Sequence, residues 1–199
     1  MAADPTTIIP HVKKWEGYNK KLPSTLPGDP GGLTYKGITY KTYLFLSPKL
    51  GFEASYNGFK NLTDQQWLKI FYWFWNKATN GNQINNQAIA NLLFESTWFG
   101  GMTIKKYQTF LKGLGKDLKI NGVVDGYTTK AINTTNPDLL YKGMVKIWTN
   151  HITGQKYETG LKNRFAEILN LNAKYLIPQN KNNLFAGVAI AGIIYLIIK

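Results

Sequence analysis

The sequence predicts a mainly α-helical fold with a small β-hairpin lobe, and three observations support this prediction. Apolar residues recur at three- and four-residue intervals along much of the chain, which is the spacing of an amphipathic helix. A short run of β-forming residues, 33–39, follows a glycine-rich turn, as is typical of a hairpin. Hydrophobic residues make up 44% of the 199 residues and aromatic residues 14%, so the chain can bury a core and is not a disordered protein.

The charge of the chain indicates a polyanionic environment. Lys and Arg number 24 against 11 Asp and Glu, which leaves a formal net charge of +13. Nucleic acid, anionic lipid and anionic cell-wall polymer all fit such a charge. Arg164 is the only arginine, however, and bidentate recognition of bases and phosphates favours arginine. We therefore expect no nucleic-acid partner.

The content of metal-binding residues argues against a structural metal. The chain has no Cys and two distant histidines, His11 and His151, so it has neither a disulfide framework nor an imidazole cluster. The acidic spacing of an EF-hand is absent around Asp125, which we interpret as a turn former. No metal or other cofactor is expected.

The first helix is predicted to end at a carboxylate. Helix-start chemistry lies at Asp4 or Thr7, and an apolar stripe follows at Ile8, Ile9, Val12 and Trp15. Glu16 falls on or beside this stripe, and Gly17 ends the helix behind it. Partial desolvation raises the pKa of a carboxyl group, which allows it to stay protonated and to donate a proton to a leaving oxygen. Alternatively, Glu16 is a solvated residue that pairs with Lys13 or Lys20, which would lower its pKa.

A glycine-rich turn follows the first helix. Prolines at 23 and 27 predict a loop between residues 20 and 29, and Asp29-Pro30-Gly31-Gly32 predicts a tight turn before the hairpin. Thr34 follows Asp29 by five positions, close enough for both side chains to contact one water molecule. The helix end, the loop and the hairpin are therefore expected to meet at one site.

These two segments carry a family resemblance. Trp15-Glu16-Gly17-Tyr18, followed by the run from Asp29 to Ile38 (DPGGLTYKGI), resembles the signature of glycoside hydrolase family 108, a family of N-acetylmuramidases. The resemblance implies a lysozyme-like domain over residues 1–97, with Glu16 as the catalytic acid. Asp29 and Thr34 match positions of the Glu, Asp and Thr triad of phage-type lysozymes. The family usually has two glycines between the Glu and the Tyr, whereas this chain has Gly17 alone.

The resemblance implies hydrolysis of the β-1,4 bond between N-acetylmuramic acid and N-acetylglucosamine in peptidoglycan. Glu16 would protonate the glycosidic oxygen, while Asp29, with Thr34 steering a water molecule, would supply the second function. An inverting course is favoured, since a water between two carboxylates needs the wider separation. Three tyrosines are candidate sugar-stacking platforms, or else ordinary packing residues: Tyr18, Tyr35 and Tyr40.

Two further helices are predicted in the middle of the chain. Aromatic and apolar residues at helical spacing predict a core helix from Asp64, capped by Thr63: Trp67, Ile70, Phe71, Phe74 and Trp75. A second apolar helix covers 87–98 and carries Glu95. This carboxylate either faces the cleft as a rival catalyst or is held by hydrogen bonds for structural reasons, and we favour the second interpretation.

Residues 98–178 are predicted to form a small helical module. A helix over 104–114 precedes two turn signals in 118–129 and a Thr-capped helix over 130–133. The Asp-Gly turn before a capped helix is similar to peptidoglycan-binding modules that accompany the muramidase family. Residues 144–171 are predicted to form a further amphipathic helix, with Arg164 and Glu167 on its exposed face.

The C-terminal residues 179–199 form a polar linker and a hydrophobic tail. Fifteen uncharged residues, 184–198, would span about 22 Å as a helix, against ~30 Å for a bilayer core. A core helix is one interpretation, but flanking lysines can snorkel and a membrane can thin, so membrane association through 184–198 is favoured. No signal peptide is apparent at the start, and action at the cell envelope is expected.

Two other function classes remain open on the sequence. The first is a non-catalytic peptidoglycan-binding or secretion-accessory protein, which the single Gly17 favours. The second is a basic nucleic-acid-binding protein, which rests on charge alone.

Overall fold

The computed structural model describes residues 2–25, 31–99, 101 and 103–176. The fold is mainly α-helical and lysozyme-like, with a two-stranded antiparallel hairpin, as the sequence predicts. Contacts between Cα atoms divide the chain into two compact units. The hairpin unit is Thr6–Trp73, and the helical unit is Met1–Pro5 together with Phe74–Lys199. The division predicted from the sequence, at residues 97 and 178, stays a prediction.

In the described part of the hairpin unit, a short first α-helix is followed by the hairpin and three more α-helices. In chain order they are α1 (Ile9–Trp15), β1 (Thr34–Tyr35), β2 (Ile38–Thr39), α2 (Tyr40–Leu50), α3 (Tyr56–Lys60) and α4 (Asp64–Trp73). The helices α2 and α3 were not part of the sequence prediction. Thr39 ends β2 and also caps α2, because its hydroxyl accepts the backbone N–H of Thr42 at 3.1 Å. The hairpin therefore runs directly into a helix.

The helix α4 begins and packs as the sequence predicts. Thr63 and Gln66 form a reciprocal cap, in which each side chain accepts the backbone N–H of the other, at 3.3 and 3.0 Å. The predicted apolar stripe is buried at Trp67, Ile70 and Phe71. Their aromatic and aliphatic surfaces form the core of this unit on the side of α4.

The helical unit is built around one buried helix. After a π-helical turn (Phe74–Ala78) and a 3-10 turn (Gly81–Gln83), its described α-helices are α5 (Gln87–Trp98), α6 (Ile104–Gly113), α7 (Gly126–Asn133), α8 (Pro137–Ile152) and α9 (Glu158–Leu176). Every residue from 88 to 97 in α5 is buried, and α6, α8 and α9 all contact this helix. A helix that is buried all round is expected at the centre of a bundle.

A hydroxyl network joins three of these helices. The Ser96 hydroxyl on α5 accepts hydrogen bonds from Thr103 at 2.7 Å and from the indole of Trp148 on α8 at 3.0 Å. It also lies 2.9 Å from the hydroxyl of Tyr107 on α6. Since all four side chains are buried, these bonds satisfy polar groups that would otherwise be costly to remove from water.

The structure differs from the sequence prediction at two helix boundaries. The predicted helix over 144–171 is two helices, α8 and α9, because Thr153 is extended and Gly154 has a left-handed φ of +78°. The helix α7 begins earlier than predicted and is capped by Asp125, whose carboxylate accepts the N–H of Thr128 at 2.8 Å. Asp125 is thus a capping residue, and this bond is the main factor that lowers its pKa.

No helix within the described ranges is long and apolar enough to cross a membrane. The tail segment 184–198, on which membrane association was predicted, lies outside the described residues.

Candidate active site

The tip of the hairpin is a two-residue turn. Tyr35 pairs with Ile38, and the intervening Lys36 and Gly37 have left-handed φ values of +50° and +77°. Positive φ at both central positions is the geometry of a type I′ turn, whose twist matches that of the flanking strands. Gly37 adopts this conformation without steric cost, whereas Lys36 is held in it by its surroundings.

Glu16 lies directly against the hairpin tip. It is the half-buried C-terminal cap of α1, and the next residue, Gly17, has a φ of +60°, as a helix-ending glycine does. A Cβ atom added to Gly37 would lie 2.5 Å from both Cβ and Cγ of Glu16 and 2.6 Å from its Oε2. Residue 37 must therefore be glycine for two reasons, its backbone conformation and the closeness of the carboxylate.

The turn is anchored to α4 by Trp67. The fully buried indole donates its N–H to the carbonyl of Lys36 at 3.0 Å. The Lys36 ammonium in turn donates to the carbonyl of Leu62 at 3.1 Å, just before α4 begins. Two hydrogen bonds thus fix both the backbone and the side chain of the residue that precedes Gly37.

Tyr18 forms a cationic and aromatic cluster two residues after Glu16. The ammonium groups of Lys13 and Lys36 lie 4.1 and 4.7 Å from the centre of its ring, and Trp67 meets it edge to face at 5.1 Å. Lys36 also lies 3.6 Å from the carboxylate of Asp64. Since lysine ammonium groups already lie over the ring, Tyr18 is held mainly by packing, and its predicted sugar contact stays a prediction.

The same cluster changes the acidity of two groups. Burial, followed by the neighbouring Asp64 carboxylate, raises the pKa of the Tyr18 hydroxyl. The Tyr18 hydroxyl, followed by Lys36 and Lys13, lowers the pKa of Asp64 against a smaller opposing effect of burial. Within the described part of the chain, the Tyr18 hydroxyl has no partner at normal hydrogen-bond distance and angle. It therefore acts on Asp64 as a close polar neighbour.

Thr34 lies at the base of the hairpin and is half-buried. Its backbone exchanges two hydrogen bonds of 2.9 Å with Ser24, which ties the preceding loop to β1. Its hydroxyl donates to the carbonyl of Gly32 at 3.1 Å, and the hydroxyl oxygen retains lone pairs that can accept a hydrogen bond from water. The predicted partner Asp29 lies outside the described residues, so its role stays a prediction.

The two remaining candidate tyrosines differ in exposure. Tyr35 is 7% exposed and meets Phe59 edge to face, with ring centres 6.1 Å apart. Tyr40 is half-buried at the start of α2 and packs on Phe59 and Tyr56, at 5.1 and 6.0 Å. Both contribute to the core of the hairpin unit, and Tyr40 offers the more open surface of the two.

Glu95, the rival carboxylate, lies in a buried ion pair of the helical unit. Its Oε2 accepts a hydrogen bond from Nε of Arg164 at 2.9 Å, and the guanidinium lies 4.2 Å from the centre of the Phe99 ring. The prediction that Arg164 decorates an exposed face is therefore wrong, since the residue is 6% exposed. The pocket at this ion pair has room for about one water molecule, too little for a sugar ring.

Among residues 2–25, 31–99, 101 and 103–176, no three His, Asp or Glu side chains come together as metal ligands would. Glu16 and Thr34 were candidates on the sequence, and their catalytic roles stay predictions. The close contact of Gly37 with Glu16 and the hydrogen bond from Trp67 to Lys36 were not predicted. The Lys36-Gly37 pair between two β-forming dipeptides is the signal that could have located the turn.

Comparison with known proteins agrees with this architecture. SagA of Brucella abortus has a similar fold, with a TM-score of 0.63 and 21% sequence identity over 90% of this chain and 98% of that one. No curated protein matches the chain significantly. Residues 9–101, which include Glu16 and the whole hairpin, match the family model of glycosyl hydrolase 108. Over this segment the chain is similar to the glycosyl hydrolase 108 family.

Proposed function

We propose that this protein is a glycosidase that hydrolyses the β-1,4 bond between N-acetylmuramic acid and N-acetylglucosamine in peptidoglycan, with Glu16 as the general acid. The match of residues 9–101 to the glycosyl hydrolase 108 model supports a glycosidase with a glycan substrate. The proposal rests mainly on the close contact between the Glu16 side chain, at the end of α1, and the backbone of Gly37. A half-buried carboxyl at a helix end, held against a fixed turn, is suited to keep and deliver a proton.

The proposed reaction needs a proton donor and an activated water. Glu16 would transfer its proton to the glycosidic oxygen as the bond from that oxygen to the anomeric carbon breaks. A water molecule would add to the anomeric carbon and lose its proton to Asp29. The Thr34 hydroxyl, oriented by its bond to the Gly32 carbonyl, would accept a hydrogen bond from this water. Such an arrangement corresponds to the inverting course that the sequence favours.

The charge of the protein supports an anionic polymer as the substrate. A formal net charge of +13 attracts a cell wall that carries carboxylate groups. Lys13 and Lys36 place two ammonium groups around Tyr18, close in sequence to Glu16 and Gly37. We propose Tyr18, Tyr35 and Tyr40 as contributors to sugar binding. Tyr40 is half-buried, whereas Tyr35 is 7% exposed, and lysine ammonium groups lie over the Tyr18 ring.

The remaining parts of the chain extend this proposal to the cell envelope. Residues 98–178 would hold the enzyme on peptidoglycan, and the apolar tail 184–198 would associate with the membrane. Both proposals rest on the sequence. The first rests on the resemblance of 98–178 to peptidoglycan-binding modules, and the second on the apolar composition of 184–198.

Digestion of purified peptidoglycan sacculi tests the proposed bond. The full chain is incubated with sacculi, and the soluble products are reduced and identified by mass spectrometry. New reducing ends on muramic acid support the proposal, while reducing ends on glucosamine would assign the other glycosidic bond. Binding to sacculi with no new reducing ends would select the non-catalytic wall-binding or secretion-accessory alternative. The anomer first formed, followed by NMR, distinguishes an inverting from a retaining course.

A further inference from the structure

We infer that Trp67 is a positioning residue for Glu16, and this inference rests on the proposed role of Glu16 as the general acid. Trp67 is fully buried in α4, outside every segment on which the catalytic residues were predicted. It contacts Lys36, which precedes Gly37, and Tyr18, which lies two residues after Glu16. One contact is the hydrogen bond to Lys36, and the other is the ring contact with Tyr18.

The hydrogen bond from Trp67 to the Lys36 carbonyl restrains the turn that contacts Glu16. The Lys36 carbonyl and the Gly37 nitrogen belong to one planar peptide group, so the direction of that carbonyl sets the position of the Gly37 backbone. The indole N–H holds this carbonyl at 3.0 Å. The left-handed φ of Lys36, +50°, is unfavourable for a lysine and needs such an external restraint. Loss of the N–H would therefore release the turn.

The ring contact controls the segment that follows Glu16. Trp67 meets Tyr18 with ring centres 5.1 Å apart and planes at 83°, a favourable edge-to-face geometry. The backbone N–H of Tyr18 also bonds the carbonyl of Lys13 at 3.2 Å, which closes the end of α1 around Glu16. One indole thus restrains the turn under the carboxylate and the chain that leaves it.

A catalytic proton donor is sensitive to small displacements. A misplacement of about 1 Å can reduce the rate of the chemical step by about 100-fold, because the donor must reach the leaving oxygen within hydrogen-bond distance. Trp67 contributes no group to the reaction itself. Its loss should therefore lower kcat while leaving KM almost unchanged.

The test compares the same substitution at two buried tryptophans. Trp67→Phe removes the N–H that bonds Lys36, while Trp75→Phe is the control. Trp75 lies in the helical unit and is equally buried, and its indole N–H has no hydrogen-bond partner within the described part of the chain. Both variants lose similar volume. Replacement of each tryptophan by benzothienylalanine, an isostere with sulfur in place of N–H, repeats the comparison with the ring size kept.

The activities of all four variants are measured on sacculi and divided by the folded fraction. We expect kcat to fall about tenfold or more at position 67, with KM within twofold, and to stay within twofold at position 75. Equal kcat losses at the two positions, or a loss at position 67 that lies in KM alone, would overturn the inference. If the unaltered chain releases no reducing ends, the proposed function itself fails. If it does release them and Glu16→Gln abolishes release, while the Trp67 variants match the controls, the positioning role alone fails.

Discussion

Gly37 and Glu16 lie in direct contact, with the backbone of the glycine against the side chain of the glutamate. A Cβ atom at position 37 would come within 2.5 Å of the Glu16 side chain. The contact joins the hairpin tip to the end of α1, so the position of the carboxylate depends on the turn. The proposed acid is thus placed by a neighbouring backbone as much as by its own helix.

We expect Gly37→Ala to reduce both stability and activity. The left-handed φ of +77° costs an L-residue about 1 kcal/mol, and the added methyl group displaces the Glu16 side chain as well. Thermal unfolding measures the first effect, and release of reducing ends from sacculi, per folded molecule, measures the second. A drop of at least about tenfold in that activity is expected.

Gly51→Ala is the matched control for this variant. Gly51 has nearly the same φ, +79°, in the same unit, but a Cβ atom there would have no neighbour within 4 Å. It should lose stability through backbone strain and keep its activity per folded molecule. Equal activity per folded molecule in Gly37→Ala and Gly51→Ala would show that the contact between Gly37 and Glu16 does not matter for the reaction.

We expect Glu95→Gln to destabilise the protein without removing its activity. The substitution removes the carboxylate charge from the buried ion pair with Arg164, and breaking a buried pair typically costs about 3 to 5 kcal/mol. Glu158→Gln breaks a partly exposed ion pair with Lys162 on the same helix as Arg164 and should cost less. Chemical denaturation measures both losses. A well-folded Glu95→Gln protein that no longer cleaves sacculi would place Glu95 in the catalytic machinery.

We expect Asp64 to contribute a small, acid-sensitive part of the stability. Because its pKa is lowered in the folded state, this contribution is fully present above the ordinary pKa of about 4 and is lost as the pH falls through the lowered value. The effect is small because the side chain is 68% exposed and water screens its ion pair. In urea denaturation, the stability difference between the unaltered chain and Asp64→Asn should shrink below about pH 4. A difference that stays constant from pH 7 to pH 3 would refute this contribution.

Much of the fold could be predicted because its signals are local. The stripe of apolar residues before Glu16, the helix-ending Gly17 and the β-forming residues around Lys36 and Gly37 each act over a few positions. The confirmed helix over 87–98 follows from the same kind of pattern. Gly154 also carried a local signal for the break between α8 and α9, which the prediction of one continuous helix overlooked.

The contacts that shape the site could not be predicted because they join distant parts of the chain. The Trp67 indole reaches a carbonyl 31 residues earlier, and an aromatic stripe alone indicates no more than burial. Arg164 was expected at the surface because arginine usually lies there, but its partner Glu95 is 69 residues away. Such pairs depend on tertiary packing, which helical periodicity does not encode.

The identity of the proton donor is tested most directly by Glu16→Gln on purified sacculi. Glutamine keeps the size of the side chain and its place beside Gly37 but cannot act as the acid. The control is Glu53→Gln, which changes an exposed glutamate of the same unit. We expect Glu16→Gln to lose at least about 100-fold in the release of reducing ends, while Glu53→Gln retains full activity. Release at an undiminished rate by folded Glu16→Gln would contradict this expectation.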